Sequence, residues 1–546
     1  MFNHGRTKKV SLLYVGIIIL FYLPVGIILA KVLLAENICI RLLEFIQSGL
    51  FRNTLSFTAS EAFLSAFFSL LLALPGAYFF GNYDFPGKDL FRNLLVLPFM
   101  LPGILVVLGM VLFYGQNGAL NHWLVRFFPD SGFRFTGLYG FWGIVLANVF
   151  YNFSFCIRVL GESWERIDST LGEASAVLGG SRYRTFCGVI LPLLVQTISY
   201  LFLLVFLYAF LSFTVVLVLG GYLYKTFEVL IYIEYNSKLN FDQATMIAFI
   251  QTAILALVLY LQHCFGRRIR IAGGFNRNLP KLSWSEKPLP SIAAILYASV
   301  IGFFFLAPLG AMGIRSLMRR GLPGTGFTIE NYRQLLDTGF RFSVGQSLGN
   351  VLGTSIALAL TVALITTGTA YILARSRRFE PWQSGDLWLQ LPVGISFLTF
   401  AFGIGLLAGR YLPSVVLVIW SQVFLAFPLV YSLLRTAWRD LGESYLEAAR
   451  TLGADSRRVF WTVELPLMRK AIATAATYAI AFSLGDLAAV LMLGQGKLIT
   501  VSVAIYRLIG HYHFARAVAL GVLFMAVSVL LYSAVQEKSK ENKRKR

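Results

Sequence analysis

Charged residues are scarce in this chain of 546 residues. Asp, Glu, Lys and Arg make up 13% of the sequence, whereas hydrophobic residues make up 57%. A soluble globular domain carries about a quarter charged residues, so the composition excludes an ordinary soluble protein. The hydrophobic residues also form runs long enough to cross the ~30 Å hydrocarbon core of a bilayer. The sequence therefore predicts an all-α, polytopic membrane protein.

Acidic residues are the scarcer of the charged ones. The 26 acidic residues stand against 47 Lys and Arg, giving a net charge of +21. In a soluble protein this surplus would suggest nucleic acid binding, but here the cations border the predicted spans. Such cations set the orientation of the spans and contact anionic lipid. We expect membrane lipid as their partner and no nucleic acid.

Cysteine and histidine are also rare, which argues against a metal site. The chain has four cysteines and five histidines. The cysteines, which show no paired spacing and support no disulfide framework, are Cys39, Cys156, Cys187 and Cys264. His511 and His513 flank Tyr512, but without further ligands we interpret them as interfacial polar residues. We expect no metal and no cofactor.

A nucleotide-binding motif is absent as well. The glycine-rich run at 321–326 lacks the lysine that a phosphate-binding loop uses to reach the β- and γ-phosphates. No nucleophile and base stand out as a pair. We therefore expect a chain that is not an enzyme and that cannot hydrolyse ATP by itself.

Windows of about 20 residues predict twelve membrane spans. They lie near residues 11–30, 56–80, 93–114, 139–158, 193–217, 243–264, 291–312, 348–373, 388–408, 414–434, 472–493 and 515–534. Lys and Arg are retained on the cytoplasmic side of short loops. This rule places both termini in the cytoplasm of a bacterial inner membrane, because the larger share of the cations then lies inside.

Two polar segments between apolar runs carry the same sparse pattern, 274 residues apart. The first contains Glu173-Ala174-Ser175, Gly179, Phe186 and Leu191-Pro192. The second contains Glu447-Ala448-Ala449, Gly453, Phe460 and Leu465-Pro466. In both, the glycine follows the glutamate by 6 positions, the phenylalanine by 13 and the proline by 19. The pattern predicts two cytoplasmic loops, each with short helices on either side of a glycine turn.

These loops resemble the EAA loop of ATP-binding-cassette importer permeases. In that family the loop is the docking surface for the ATPase subunit, and two copies in one chain imply a fused permease that supplies both halves of the pore. The resemblance implies two ATPase copies and a periplasmic or lipid-anchored substrate-binding protein as partners. By motif position, the implied docking residues are Glu173, Ala174, Gly179, Glu447, Ala448 and Gly453.

The first loop departs from the family pattern at two positions. Ser175 replaces the second alanine and Gly180 follows the turn glycine, and both residues lower helix propensity. Whether the two loops dock equally is therefore open.

The chain divides into two parallel six-helix pseudo-repeats. We predict a first half over 1–266 with its loop at 161–192 and a second half over 291–536 with its loop at 436–466. A basic cytoplasmic linker (267–290) joins the halves, and a basic tail (537–546) ends the chain. The dipeptides Leu219-Gly220 and Leu493-Gly494 repeat at the 274-residue offset, whereas the offset is near 293 at the start of each half because the first half has a longer outer loop.

One carboxylate stands out within the predicted spans. Asp486 lies in the eleventh span, where a charged side chain normally faces water or a partner and not lipid. Its counterpart in the first half is Ser212. We expect either a place on the translocation path, together with Tyr208, Phe210 and Phe213 of the fifth span, or a structural hydrogen bond. Glu61 in the second span is a lesser candidate.

The substrate is suggested by resemblance alone. Several further stretches are similar to thiamine permeases among the fused importers, at 63–66, 114–118, 148–152, 483–486 and 506–510. The resemblance implies thiamine as the solute that a binding protein delivers. Ferric-iron permeases, or those for another small cation or polyamine, share the architecture and are the alternative. A secondary transporter with internal repeats is an alternative from another class.

Overall fold

The computed structural model describes residues 4–34, 37–85, 87–88, 101–266, 288–318, 326–377, 384–441 and 444–544. Within these ranges the regular structure is helical, and an isolated antiparallel bridge joins Met318 and Phe327. The helices up to residue 266 are α1 (His4–Leu33), α2 (Ile38–Gln47), α3 (Gly49–Asn82), α4 (Gly103–Tyr114), α5 (Ala119–Phe127), α6 (Phe141–Glu165), α7 (Ser169–Val177), α8 (Arg182–Thr185), α9 (Leu191–Phe210), α10 (Thr214–Leu219), α11 (Phe227–Tyr232) and α12 (Phe241–Gly266).

The remaining helices follow residue 287. They are α13 (Pro288–Ser316), α14 (Glu330–Arg333), α15 (Thr338–Val344), α16 (Leu348–Ser376), α17 (Ser384–Gln390), α18 (Phe397–Ala408), α19 (Ser414–Leu441), α20 (Ser444–Thr451), α21 (Ser456–Val459), α22 (Leu465–Gly485), α23 (Ala488–Leu493), α24 (Val501–Gly510) and α25 (Phe514–Arg544). Short 3₁₀ turns occur at Pro129–Ser131 and Leu391–Gly394, and π-helical segments occur at Phe186–Ile190, Ile233–Ser237 and Phe460–Glu464.

Nine of the described helices are long and apolar enough to cross a membrane. Three shorter apolar helices lie at Phe397–Ala408, Val501–Gly510 and Phe514–Leu530. These helices confirm the all-α, polytopic fold, and the count of twelve spans stays a prediction. The linker residues 267–287 and the start of the third predicted span, 93–100, lie outside the described residues.

The chain forms two compact units, and neither is a continuous stretch of sequence. We name the first-half unit (Cys39–Leu230 and Ala253–Arg315) and the second-half unit (Met1–Ile38, Ile231–Thr252 and Ser316–Arg546). Each takes in the first helix of the other sequence half, since α1 belongs to the second-half unit and α13 to the first-half unit. The division into two sequence halves stays a prediction about the repeat.

The first-half unit is built around α3 and α6. These two helices pack against one another along their length, and α9 packs on α3. The inner face of α3 is lined by small residues, of which Ala62, Ala66, Ala73 and Ala77 are fully buried. Small residues let helix backbones approach closely. The van der Waals contacts made at this short distance help hold helices together in lipid.

The second-half unit is built around α16, α19 and α22, which pack against each other. Helix α1 packs on α18, and the fit is close at Gly403. A Cβ atom at Gly403 would lie 2.4 Å from the carbonyl oxygen of Pro24, so only glycine fits there. Phe400 stacks on Phe424 with ring centroids 3.5 Å apart.

The repeat predicted from the sequence is visible in the helix boundaries. Helices α8, α9 and α10 begin 274 residues before α21, α22 and α23. Two predicted spans, 193–217 and 472–493, are wrong as continuous helices. The first breaks between Phe210 and Thr214, and the second between Gly485 and Ala488. Asp486 therefore lies at a helix break and not inside a helix.

The motif prolines Pro192 and Pro466 lie in the first turn of α9 and α22. Pro192 and Pro466 each follow directly on a π-helical segment that continues the preceding short helix. The amide of Leu191 bonds the carbonyl of Phe186, and that of Leu465 bonds Phe460. Proline has no N–H and clashes with the carbonyl four residues earlier. The wider π turn accommodates it and keeps the helix continuous.

Candidate functional site

The two loops have the predicted geometry of helix, glycine turn and helix. Gly179 ends α7 with φ 77° and Gly453 ends α20 with φ 83°, a region that residues with a Cβ atom rarely adopt. One residue later, the amide of Gly180 bonds the carbonyl of Ser175 at 2.9 Å, and Ala454 bonds Ala449 at 3.1 Å. This pattern closes a helix end and turns the chain back sharply.

Equivalent residues also begin the second short helix of each loop. The amide of Arg184 donates to Ser181 Oγ at 3.3 Å, and the amide of Arg458 donates to Asp455 Oδ1 at 3.0 Å. Ser181 and Asp455 are related by the 274-residue offset. Both types of residue are good helix N-caps because their side-chain oxygens satisfy a free backbone N–H. The two loops thus share their backbone design.

The predicted docking residues are accessible. Glu173, Ala174, Glu447 and Ala448 are exposed on the first short helix of their loops. Exposed carboxylates on both loops leave a charge available to a cation of a partner protein.

The sequence analysis missed a second shared feature of the loops. Leu178 and Leu452 stand at equivalent positions immediately before the turn glycines, and they are 87% and 88% exposed. The loops thus share an exposed apolar side chain as well as an exposed carboxylate. The signal was present in the sequence, since both leucines lie in polar segments at the 274-residue offset.

The first loop is attached to its unit by aromatic and hydroxyl contacts. Phe186, in the π segment, stacks on Trp164 of α6 with ring centroids 5.9 Å apart. The hydroxyls of Ser175 and Thr185 lie 2.8 Å apart, which joins α7 to α8. The replacement of alanine by Ser175 therefore adds a hydrogen bond between the two short helices.

The second loop is attached by an ion pair. Arg375 Nη2, at the end of α16, lies 2.5 Å from Glu464 Oε2 in the π segment. The guanidinium of Arg375 also lies over the ring of Phe460, 5.2 Å from its centroid. The Glu464 side chain is 2% exposed, so the carboxylate is nearly removed from water.

Asp486, the main candidate for the translocation path, is held by hydrogen bonds within the second-half unit. Gln422 Nε2 donates to Asp486 Oδ2 at 2.9 Å, and the amide of Ala489 donates to Oδ1 at 3.1 Å. Ser483 in turn donates to Gln422 Oε1 at 2.6 Å. The carboxylate thus caps α23 and fixes the helix break.

Glu61, the lesser candidate, has a related environment in the first-half unit. It is fully buried on α3, and its Oε1 accepts hydrogen bonds from Asn148 and, at 3.0 Å, from Ser65. Asn148 and Gln422 are related by the 274-residue offset. Each half therefore has a buried amide at the same place that binds a buried carboxylate, an equivalence that the sequence analysis missed.

The three aromatic candidates lie in the first-half unit. Tyr208 is half-buried near the end of α9, and Phe210 and Phe213 are buried beside the helix break. Asp486 belongs to the second-half unit. Their convergence on a common path stays a prediction.

Comparison with known families decides the class of the protein. The profile of the family described as "Binding-protein-dependent transport system inner membrane component" matches residues 73–271 and 370–541, which is more than half of the chain. This chain belongs to that family. Each matched segment contains one EAA loop, which confirms the predicted fused two-half permease. It is a transporter permease subunit and a multi-pass inner membrane protein, and the secondary-transporter alternative is wrong.

Individual relatives are similar over most of their length. The "Thiamine transport system permease protein ThiP" of Brucella abortus (strain 2308) is 27% identical over 492 residues, covering 87% of this chain and 86% of the relative. The protein of the same name from Haemophilus influenzae is 28% identical, covering 86% and 84%. That of Escherichia coli (strain K12) is 25% identical, covering 90% of both chains. The family as a whole works with an ATPase and a binding protein.

Proposed function

We propose that this permease imports thiamine, driven by two copies of an ATPase subunit that dock on its two EAA loops. The names of the relatives support the substrate, and their high coverage supports a shared whole-chain architecture. Ferric iron, or another small cation or polyamine, is the alternative. The membrane helices offer few carboxylates, whereas ferric iron favours several hard oxygen ligands.

The observation that carries the docking proposal is the match between the loops. Both present an exposed glutamate, an exposed leucine and a glycine turn at equivalent positions. The chain contains no phosphate-binding loop of its own. One chain then binds two ATPase copies and forms the pore without a second permease. Because the ATPase is cytoplasmic, docking requires both loops to face the cytoplasm, and the twelve predicted spans would then put both termini on the same side.

The docking proposal is tested by changing the exposed leucines. Leu178→Asp and Leu452→Asp place a charge in an apolar contact, and each should remove one ATPase copy from the purified complex. The double variant Glu173→Lys/Glu447→Lys should remove both. The control is Phe342→Asp, since Phe342 is 93% exposed and lies outside both loops. Native mass spectrometry counts the copies, and a double leucine variant that retains two ATPases would contradict the proposal.

The substrate is tested by uptake. Cells that depend on this permease should accumulate labelled thiamine, and ferric iron should not compete. Uptake of ferric iron without thiamine would overturn the substrate and leave the permease assignment standing.

For the translocation path, we propose Asp486 with Tyr208, Phe210 and Phe213. Thiamine carries a permanent cationic ring, and aromatic faces attract such a ring by ~0.5–2 kcal/mol each. Binding of this strength lets a solute enter and still leave, as transport requires. Asp486 supplies a single negative charge whose oxygens are oriented by Gln422 and Ala489.

A further inference from the structure

The two loops differ in how they are joined to the helices behind them. The π segment of the second loop ends in Glu464, and its counterpart in the first loop is Ile190. The partner of Glu464 is Arg375, and the residue 293 positions earlier is Asn82. Residues 186–190 contain no charged side chain at all. An ion pair of this kind therefore has no equivalent at the first loop.

A tryptophan that stands at equivalent positions in both halves also contacts the two loops differently. Trp164 and Trp438 are related by the 274-residue offset. Trp164 stacks on Phe186 of the first loop, whereas Trp438 packs on Tyr371 of α16 with centroids 5.8 Å apart. In the second-half unit, Arg375 occupies the face of Phe460 instead. Arg375 thus contacts both Phe460 and Glu464 of the π segment.

The end of α16 that carries Arg375 is itself firmly held. Arg377 Nη1 lies 3.1 Å from Asp386 Oδ1, and the Tyr431 hydroxyl donates to the same oxygen at 2.5 Å. Arg435 lies 3.8 Å from Asp386 Oδ2. Partial burial lowers the pKa of Arg377, but its bond to Asp386 and the nearby charge raise it by more, so Arg377 stays charged. This cluster connects α16 to α17 and α19.

We propose that the Arg375–Glu464 ion pair is the positioning element that transmits movement of the second loop to α16. The inference rests on the proposed docking role of the loops. The Glu464 carboxylate is 2% exposed and its partner Arg375 is 31% exposed, so the pair attracts across partly screened charges, whereas the stacked rings at the first loop carry no charge. The two ATPase copies then act on the permease unequally, and the second loop has the tighter connection.

The test uses the full complex of permease, ATPase and binding protein in lipid vesicles. Three quantities are measured: bound ATPase copies, ATP hydrolysis stimulated by the binding protein, and thiamine transported per ATP. The variants are Glu464→Gln, the apolar pair Arg375→Met/Glu464→Leu, and the exchanged pair Arg375→Glu/Glu464→Arg. The control is Glu165→Gln, which removes the acid of the Lys88–Glu165 ion pair in the first-half unit.

The apolar pair separates transmission from stability. Replacing both partners of a buried ion pair by apolar residues often leaves a protein stable. We expect normal insertion and two bound ATPases, with transport per ATP lowered by about tenfold in both Glu464→Gln and the apolar pair. The exchanged pair should recover most of the loss, and Glu165→Gln should show none.

Two results would overturn the inference. Wild-type transport per ATP in the apolar pair would mean that the ion pair only stabilises the fold. Loss of one ATPase copy in Glu464→Gln would mean that the pair shapes the docking surface and does not transmit movement. A wild-type complex without two ATPase copies would instead refute the proposed docking, so the two failures are distinguishable.

Discussion

Asn148 and Gln422 occupy equivalent positions on α6 and α19, yet they bind carboxylates from different places in the fold. Asn148 binds Glu61 from the middle of α3, whereas Gln422 binds Asp486 at the break before α23. The position equivalent to Asp486 in the first half is Ser212. The two halves thus share the helix framework and the buried amide side chain, whereas the carboxylate that binds the amide comes from a different helix in each half.

The halves of a fused permease can therefore carry different side chains at equivalent positions. In a pore made of two identical chains, both equivalent positions carry the same residue. A single carboxylate in one chain is then always present twice in the pore. In one fused chain a single carboxylate at one helix break is possible. This arrangement suits a solute with one positive charge and no twofold symmetry.

The largest effects should come from the feature that both halves share. Gly179→Val or Gly453→Val forces a β-branched residue into positive φ, a strain of ~1–3 kcal/mol that the loop relieves by losing its turn. We expect transport to fall to background in either variant with normal amounts of protein in the membrane. The measurement is labelled thiamine uptake alongside quantitative blotting.

The matched control for these glycines is Gly302→Val. Gly302 lies in α13 without positive φ, and a Cβ atom there meets nothing within 4 Å. This variant should transport normally. If the Gly453→Val and Gly302→Val variants took up thiamine at the same rate, the glycine turn that both loops share would not be required for transport.

The next effect tests the feature that the halves do not share. Asp486→Asn removes the charge but keeps the fold, because Gln422 can turn its amide and accept from the new side chain. We expect thiamine uptake to fall by about tenfold while two ATPases stay bound. Ser212→Ala at the equivalent break should change uptake by less than about twofold. A silent Asp486→Asn would leave the carboxylate a purely structural role.

A smaller effect concerns the buried amides. Asn148→Leu and Gln422→Leu each remove the amide donor of a buried carboxylate, which keeps its bond from Ser65 or from the Ala489 amide. We expect each to destabilise by ~1–3 kcal/mol. Thermal unfolding in detergent should show both losses. Adding Glu61→Leu to Asn148→Leu should restore part of the stability, because the carboxylate that lost its amide donor is then removed as well. Purely additive losses would contradict the assigned pairing.

The smallest effect is expected at Ser175, one of the two positions where the first loop departs from the family pattern. Ser175→Ala removes the hydrogen bond to Thr185, worth ~0.5–1.5 kcal/mol, and gains helix propensity of up to ~0.7 kcal/mol. The two changes nearly cancel. Transport and ATPase binding should therefore stay at wild-type level, and a clear loss would show that this bond positions the first loop.

Much of this structure was predictable from local signals. The spacing of Glu173, Gly179 and Pro192 against Glu447, Gly453 and Pro466 predicts the loops and the repeat, because a glycine turn and a proline leave strong marks in sequence. The helix breaks at Ser212 and Asp486 were missed because the residues on both sides are apolar. Hydropathy measures transfer to lipid and does not register a lost backbone hydrogen bond.

The attachments of the loops were not predictable for a different reason. Arg375 and Glu464 are 89 positions apart, and neither lies in a motif. A single sequence does not indicate which of its many Lys and Arg residues will form an ion pair with a given Asp or Glu after folding. The exchange of α1 and α13 between the units was missed in the same way, because hydropathy predicts spans and not their neighbours.

The proposed function depends on one chain that supplies two equivalent docking loops. It is tested most directly by the native mass of the detergent-solubilised complex with its ATPase, for the wild type and for the double variant Leu178→Asp/Leu452→Asp. We expect one permease chain with two ATPases for the wild type and a permease chain without ATPase for the variant. Two permease chains in one wild-type complex, or two ATPases retained by the variant, would contradict it.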